Sequence, residues 1–256
     1  MRRRHRLSPV DATEAAAVPS AHGSFLELSV PTADIQASIA FYAKLGFSAA
    51  EVGETRRHPY AVATDGRLCV GLHQAADLEP TVTFVKRGLL RHLPLYERLG
   101  VEFDLRRLGG DEFNELGWRD PGGNRLRFVE ARTFSPPPRP GSESSLCGYF
   151  REIGLPAADL GASKAHWEGI GFVGMDESGA LGPYASCTSD TVDVGLYDPQ
   201  RLRRATLIFD TADLGAAAAA IAAAGIEAAA TSAGDGAPGL RLTAPEGTPL
   251  LITQIA

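Results

Sequence analysis

From Phe25 the chain alternates, with Leu26, Leu28 and Val30 on one side and Phe25, Glu27 and Ser29 on the other, the period of a strand with one apolar face. Asp34 stands where it caps a helix in which Ile35, Ile39, Tyr42 and Leu45 recur at helical spacing until Gly46 stops it. Three short strands follow, Ser48 to Val52, Tyr60 to Thr64 and Arg67 to His73, the last two joined by the tight-turn pair Asp65-Gly66. A second unit begins with a strand at Thr81 to Val85 and a helix at Leu89 to Leu99, which Pro94 is expected to kink or delay. It continues in a strand at Val101 to Arg106 and closes in a hairpin, Phe113 to Arg119 and Arg125 to Glu130, about the turn Asp120-Pro121-Gly122-Gly123-Asn124.

The opening stretch returns. Phe25 to Phe47, FLELSVPTADIQASIAFYAKLGF, aligns without a gap on Phe150 to Phe172, FREIGLPAADLGASKAHWEGIGF. Glu27 meets Glu152, Tyr42 meets Trp167, and further on His58-Pro59-Tyr60-Ala61 answers Gly182-Pro183-Tyr184-Ala185. Self-similarity over a whole strand-and-helix unit marks duplication. The expected organisation is a disordered tail at 1–23, a domain at 24–131, a Pro/Ser-rich linker at 132–147 and a second domain at 148–256. The helix expected at Leu214 to Ala224 is nearly all alanine, easy to form but with little area to bury.

Composition narrows the partners. A chain of 256 residues with 44% hydrophobic and 22% charged residues fits two globular domains. A net charge of −6 offers no field to gather nucleic acid, and no apolar run is long enough to cross a bilayer. Cys69, Cys147 and Cys187 form no close pair, which suits free thiols in a reducing cytoplasm. Nothing decides between a monomer and a homodimer.

Two βαβββ units per domain, a first strand ending Val30-Pro31 before Ala33-Asp34, a helix with Phe41-Tyr42 and Leu45-Gly46-Phe47, and the hairpin from Trp118 to Glu130 are together similar to the vicinal oxygen chelate superfamily. That group includes glyoxalase I, the bleomycin-resistance proteins and the extradiol dioxygenases. The resemblance implies an α+β fold of two tandem domains, each an open eight-stranded barrel around a cavity. In enzymes of the group the cavity holds a divalent ion on His and Glu side chains from the first, fourth, fifth and eighth strands. Carried over place by place, the first-strand position falls on Glu27 and Glu152, and the fourth on Gly71 and Gly195. The fifth falls near Glu79 to Thr81 and Arg204 to Thr206, and the eighth on Arg127 and Leu251. Glycine, arginine and leucine supply no ligand.

The expectation is therefore a chain without a cofactor that binds a small organic molecule in the first domain, with Glu27 and Arg127 forming an ion pair and favouring an anionic or aromatic ligand. Trp118, Phe25 and Phe84 are read as an aromatic wall or as ordinary core. Tyr60 is read chiefly as packing, His73 as a strand-end residue at the rim or an acid–base group, and His166 as a surface residue. The alternative is a lyase or dioxygenase with Zn, Ni, Mn or Fe on Glu27, His73 and Glu79. A third reading is an assembly protein with both barrels filled.

Overall fold

The computed structural model describes residues 21–50, 58–109, 114–131, 145–179, 182–232 and 238–255. The expectations for residues 1–20 and 132–144 and for the end of the strand after Ala50 lie outside them. The first half contains β1 (Ser24–Pro31), α1 (Ile35–Lys44), β2 (Ser48–Ala50), β3 (Tyr60–Thr64), β4 (Cys69–His73), β5 (Thr81–Val85), α2 (Leu89–Arg98), β6 (Phe103–Arg107), β7 (Glu115–Arg119) and β8 (Arg125–Val129). The second contains β9 (Tyr149–Pro156), α3 (Leu160–Gly169), β10 (Val173–Gly179), β11 (Gly182–Thr188), β12 (Val194–Tyr197), β13 (Thr206–Thr211), α4 (Leu214–Ala223), β14 (Ala229–Ser232), β15 (Pro238–Thr243) and β16 (Pro249–Gln254).

Each half is one open eight-stranded mixed sheet, in the orders β2-β3-β4-β1-β5-β8-β7-β6 and β10-β11-β12-β9-β13-β16-β15-β14. The tandem superfamily fold is thus present, with sheets that are not closed barrels. In each sheet the two units meet through their first strands, β1 antiparallel to β5 and β9 antiparallel to β13. Helices α1, α3 and α4 start where Asp34, Asp159 and Asp213 accept the amide protons of Ala37, Ala162 and Ala216. Gly46 and Gly171, at φ 91° and 107°, turn the chain out of α1 and α3. Pro94 lies inside α2, which nonetheless starts at Leu89; its first amide is held by the Glu130 carboxylate instead of a local cap.

Both first strands carry a bulge. Phe25 pairs with Phe84 and Glu27 with Thr83, so Leu26 is the extra residue; in the copy, Arg151 is extra between Phe150 and Glu152. A bulge breaks the two-residue alternation, which sends Phe25 to the core face while Glu27 stays on the opposite one. Leu28, Val30, Val70, Leu72, Val82, Phe84, Leu126 and Phe128 build the core with α1 and α2. Glu27, Ser29, Gly71, His73, Thr81, Thr83, Arg125 and Arg127 share the other face by register.

The two cores are continuous. Phe84 lies 6.4 Å from Trp167 and 6.2 Å from Phe172, and Phe47 lies 6.4 Å from Phe209, between ring centroids. Residues 21 and 22, expected to belong to the tail, are buried at this seam. The His22 amide donates to the carbonyl of Ile170, the Ala21 carbonyl accepts from Tyr96, and the His22 ring packs 4.5 Å from that of Phe172. The three cysteines are free thiols, and among the described residues no helix is long and apolar enough to cross a membrane.

Burial pushes the His22 imidazole down from 6.5 to about 4, against smaller upward effects of Asp190 and the Gly23 backbone. The unfolded chain takes up this proton below 6.5 and the folded chain only below about 4. Stability is therefore lost as pH falls through that window, by up to roughly 3 kcal/mol in total. Urea unfolding at pH 7 and pH 4.5 should show a distinctly shallower loss in a His22→Gln variant; equal losses in both proteins would contradict this assignment.

Candidate active site

On the polar face of the first sheet, Glu27 is 1% exposed and its carboxylate gathers donors from three strands. The Ser29 hydroxyl donates to Oε1 at 2.6 Å, His73 Nε2 stands 2.9 Å from the same oxygen, and the Tyr60 hydroxyl donates to Oε2. Ser29 also meets Thr83 at 2.9 Å. With Nε2–H of His73 given to Glu27, its Nδ1 is an acceptor, and His58 Nε2 lies 2.8 Å from it. The result is a hydrogen-bonded line from half-buried His58 through buried His73 to buried Glu27. Burial raises the Glu27 carboxyl, but the hydrogen bond from His73, helped by those from Ser29 and Tyr60, outweighs it and leaves it below the usual carboxylate range.

Gly71 makes this arrangement possible. A Cβ on it would lie 2.3 Å from the Glu27 carboxyl carbon, so the carboxylate fills the space a side chain would need. The second half repeats the feature, since a Cβ on Gly195 would lie 2.7 Å from the Glu152 carboxyl carbon. There the resemblance of the two sites ends. Glu152 accepts from the Tyr197 hydroxyl and pairs with the guanidinium of the bulged Arg151 at 3.2 Å, which also reaches Asp210 at 2.9 Å. Burial nevertheless raises Glu152, with Arg151 and Tyr197 opposing. Tyr184 stacks on Tyr197 at 4.8 Å, and Tyr197, Leu202 and Ile208 form an apolar cluster over the face.

The sequence-derived candidates divide accordingly. Glu27, His73 and Tyr60 come together, and His73 is 1% exposed at the centre of the cluster instead of at a rim. Tyr60 is a hydrogen-bond donor to Glu27 as well as packing. The expected Glu27–Arg127 ion pair is not formed: Thr83 stands between them in register, and Arg127 Nη2 pairs with Glu115 at 2.7 Å. Trp118, Phe25 and Phe84 are core, not an aromatic wall; Trp118 stacks on Phe128 at 4.5 Å. Glu79 pairs with Arg119 at the surface, away from Glu27. His166 is half-buried between the domains and accepts from the Trp118 indole at 3.1 Å. His58, Thr83 and Glu115 were not singled out from the sequence. The departure of His58 from its repeat partner Gly182 is the signal that could have found it.

Comparison with protein-family models and with curated proteins gives no match. Solved structures do match. A catechol 2,3-dioxygenase superimposes with TM-score 0.59 at 14% identity, over 91% of this chain and 88% of that one. A homoprotocatechuate 2,3-dioxygenase variant from Brevibacterium fuscum gives 0.61 at 16%, over 90% and 71%. The enzyme of that name from Arthrobacter globiformis gives 0.61 at 16%, over 93% and 82%. At such identity the likeness shows the fold, which is that of the extradiol dioxygenases within the vicinal oxygen chelate superfamily.

These matches correct the expectation of a chain without a cofactor, because they lie among the superfamily's metal-dependent ring-cleaving enzymes. The residues present do not, however, fit the four-ligand centre of that superfamily. The row in question is Glu27, Thr83 and Arg127 with Gly71 alongside, and in the copy Glu152, Ile208 and Leu251 with Gly195. Each holds one carboxylate, and among the described residues no group of three His, Cys, Asp or Glu side chains is placed to bind an ion.

Crowding of Glu27 by a new methyl is directly testable. Gly71→Ala should cost about 1–3 kcal/mol by overpacking in the wild-type background and clearly less when Glu27 is serine. Chemical denaturation of the four proteins of this cycle measures the coupling; equal costs in the two backgrounds would show that the contact is not what matters.

Proposed function

We propose that the chain is an enzyme of the extradiol-dioxygenase fold that acts on a small organic molecule at the polar face of the first domain, with Glu27 as its proton-handling group. The observation that carries this reading is the line His58–His73–Glu27, built of titratable groups and running from a half-buried imidazole to a buried carboxylate. Buried ionisable clusters of this kind are expensive to maintain as pure structure and are concentrated at functional sites. The second domain supports the assignment by contrast: its equivalent carboxylate is neutralised by Arg151 and covered by tyrosine, leucine and isoleucine.

The chemistry available to these side chains is general acid–base catalysis. Glu27 takes a proton from the substrate at one carboxylate oxygen while Tyr60 and Ser29 hold the carboxylate in place. His73, hydrogen-bonded to Glu27 at Nε2 and to His58 at Nδ1, links the carboxylate to the half-buried imidazole: with the proton on Nε2 it passes one to Glu27 as Nδ1 takes one from His58, and in the opposite tautomer it takes one from Glu27 at Nε2 as Nδ1 releases one to His58. The likeness to ring-cleaving dioxygenases favours oxygen-dependent chemistry on a hydroxylated ring as the reaction class. A metal for it would need donors beyond Glu27, which alone of the four superfamily positions in this half supplies a ligand, and His73 stands beside it.

The test is oxygen uptake and product formation with catechols and related hydroxylated rings, with protein as purified, after chelation, and after addition of Fe(II) or Mn(II), alongside its metal content. Glu27→Gln and His73→Ala should each lower turnover by roughly 10²- to 10⁴-fold, while Glu152→Gln leaves it within a few-fold. Turnover that follows Glu152 and ignores Glu27 would refute the assignment.

A further inference from the structure

Resting on that reading, we infer that Arg127 receives the anionic end of the substrate, so that the first-domain site selects small carboxylates over neutral molecules of the same shape. Register places Glu27, Thr83 and Arg127 side by side across β1, β5 and β8, so the two charged ends lie two strand spacings apart, roughly 10 Å. Thr83, whose hydroxyl is engaged by Ser29, is fully buried between them. Beyond Arg127 the next residue in the row is Gly117 on β7, which has no side chain of its own; the Asp104 carboxylate and Leu105 lie over it.

Arg127 is only partly satisfied. Its Nη2 pairs with Glu115, which Arg107 also approaches at 3.6 Å, but its Nε–H is buried and has no hydrogen-bond partner. Two other buried polar atoms among the described residues share that condition, His22 Nδ1 at the domain seam and the Ser163 hydroxyl on α3; Arg127 Nε alone lies on the Glu27 face. A buried donor left unmade is costly, and a charged one gains most from an anionic acceptor. The second domain has leucine at the corresponding place, beside isoleucine in place of threonine. The fold therefore accommodates Leu there, and the cation is an attribute of the half that carries the imidazole line.

The experiment compares 4-hydroxybenzoate with the isosteric neutral 4-hydroxybenzamide by calorimetric titration of the full chain. The wild type should bind the carboxylate roughly tenfold to a hundredfold more tightly, the scale of a charge-assisted hydrogen bond. Arg127→Leu should abolish that preference while leaving the amide affinity and the unfolding midpoint nearly unchanged, and Arg127→Lys should keep part of it. A preference that survives in Arg127→Leu, or equal binding of both probes by the wild type, overturns the role of Arg127 and leaves the first-domain site standing. Failure of both probes to bind overturns the inference too, and removes the site itself only if turnover is also indifferent to Glu27→Gln.

Discussion

Much of the first domain follows from one buried carboxylate lying against a glycine. Placing Glu27 at the β1–β4 seam takes an ionised group out of water, at a cost of several kcal/mol unless it is paired and hydrogen-bonded. The surroundings meet that demand with Ser29 on its own strand, Tyr60 on β3 and His73 on β4. The space for the carboxyl exists because Gly71 has no side chain. Three strands are thus registered around one ionisable group, and the bulge at Leu26 lies next to it. The identical carboxylate-on-glycine contact in the second half shows that this contact belongs to the duplicated unit, and that the halves parted afterwards in what they placed around it.

The bulged residue is where they part. In β9 the extra residue is Arg151, whose guanidinium folds onto Glu152 and continues to Asp210. In β1 it is Leu26, which can do neither, and the partners of Glu27 among the described residues include Ser29, Tyr60 and His73. An arginine partner cannot be deprotonated, so Glu152 sits in a closed ion-pair network. A histidine partner, unlike arginine, has a ring nitrogen that can accept as well as donate.

The alternation of Leu26, Leu28 and Val30 with the Asp34 cap, and the internal repeat, were enough to read the order of elements and two copies of one α+β domain, because strand and helix periods and capping are local properties; the tandem superfamily fold came from the resemblance carried by particular residues, such as those of the Trp118 to Glu130 hairpin. What failed was phase and partnership. A bulge is invisible to alternation, so Phe25 was placed beside Glu27 when it faces Phe84 instead. Arg127 was matched to Glu27 from shared facing alone, which holds, but an intervening strand separates them and Glu115 is nearer. Ion-pair choice across strands depends on register that no single strand encodes. Trp118 is amphipathic in composition yet has its indole satisfied across the domain boundary by His166, a contact that only the docking of two domains creates.

The docking of the two domains ties the copies together. The closing turn of each domain sits on the first helix of the other. Asp120 accepts from the Trp167 indole at 3.1 Å, while Glu246 accepts from the Tyr42 hydroxyl and the Ser38 hydroxyl, each at 2.8 Å. Asp120 opens its turn and Glu246 sits in the middle of the other, so the carboxylate has moved within the turn and kept its place in space. The approach is close: a Cβ on Gly122 would lie 2.5 Å from the Pro156 carbonyl oxygen. Tyr42 and Trp167 are fully buried, and an unpaired phenol or indole in that position would be costly. Each half therefore completes the hydrogen bonding of the other's core, and α1, which packs against β3 and β4, the strands that carry Tyr60 and His73, is finished only when the second domain is in place.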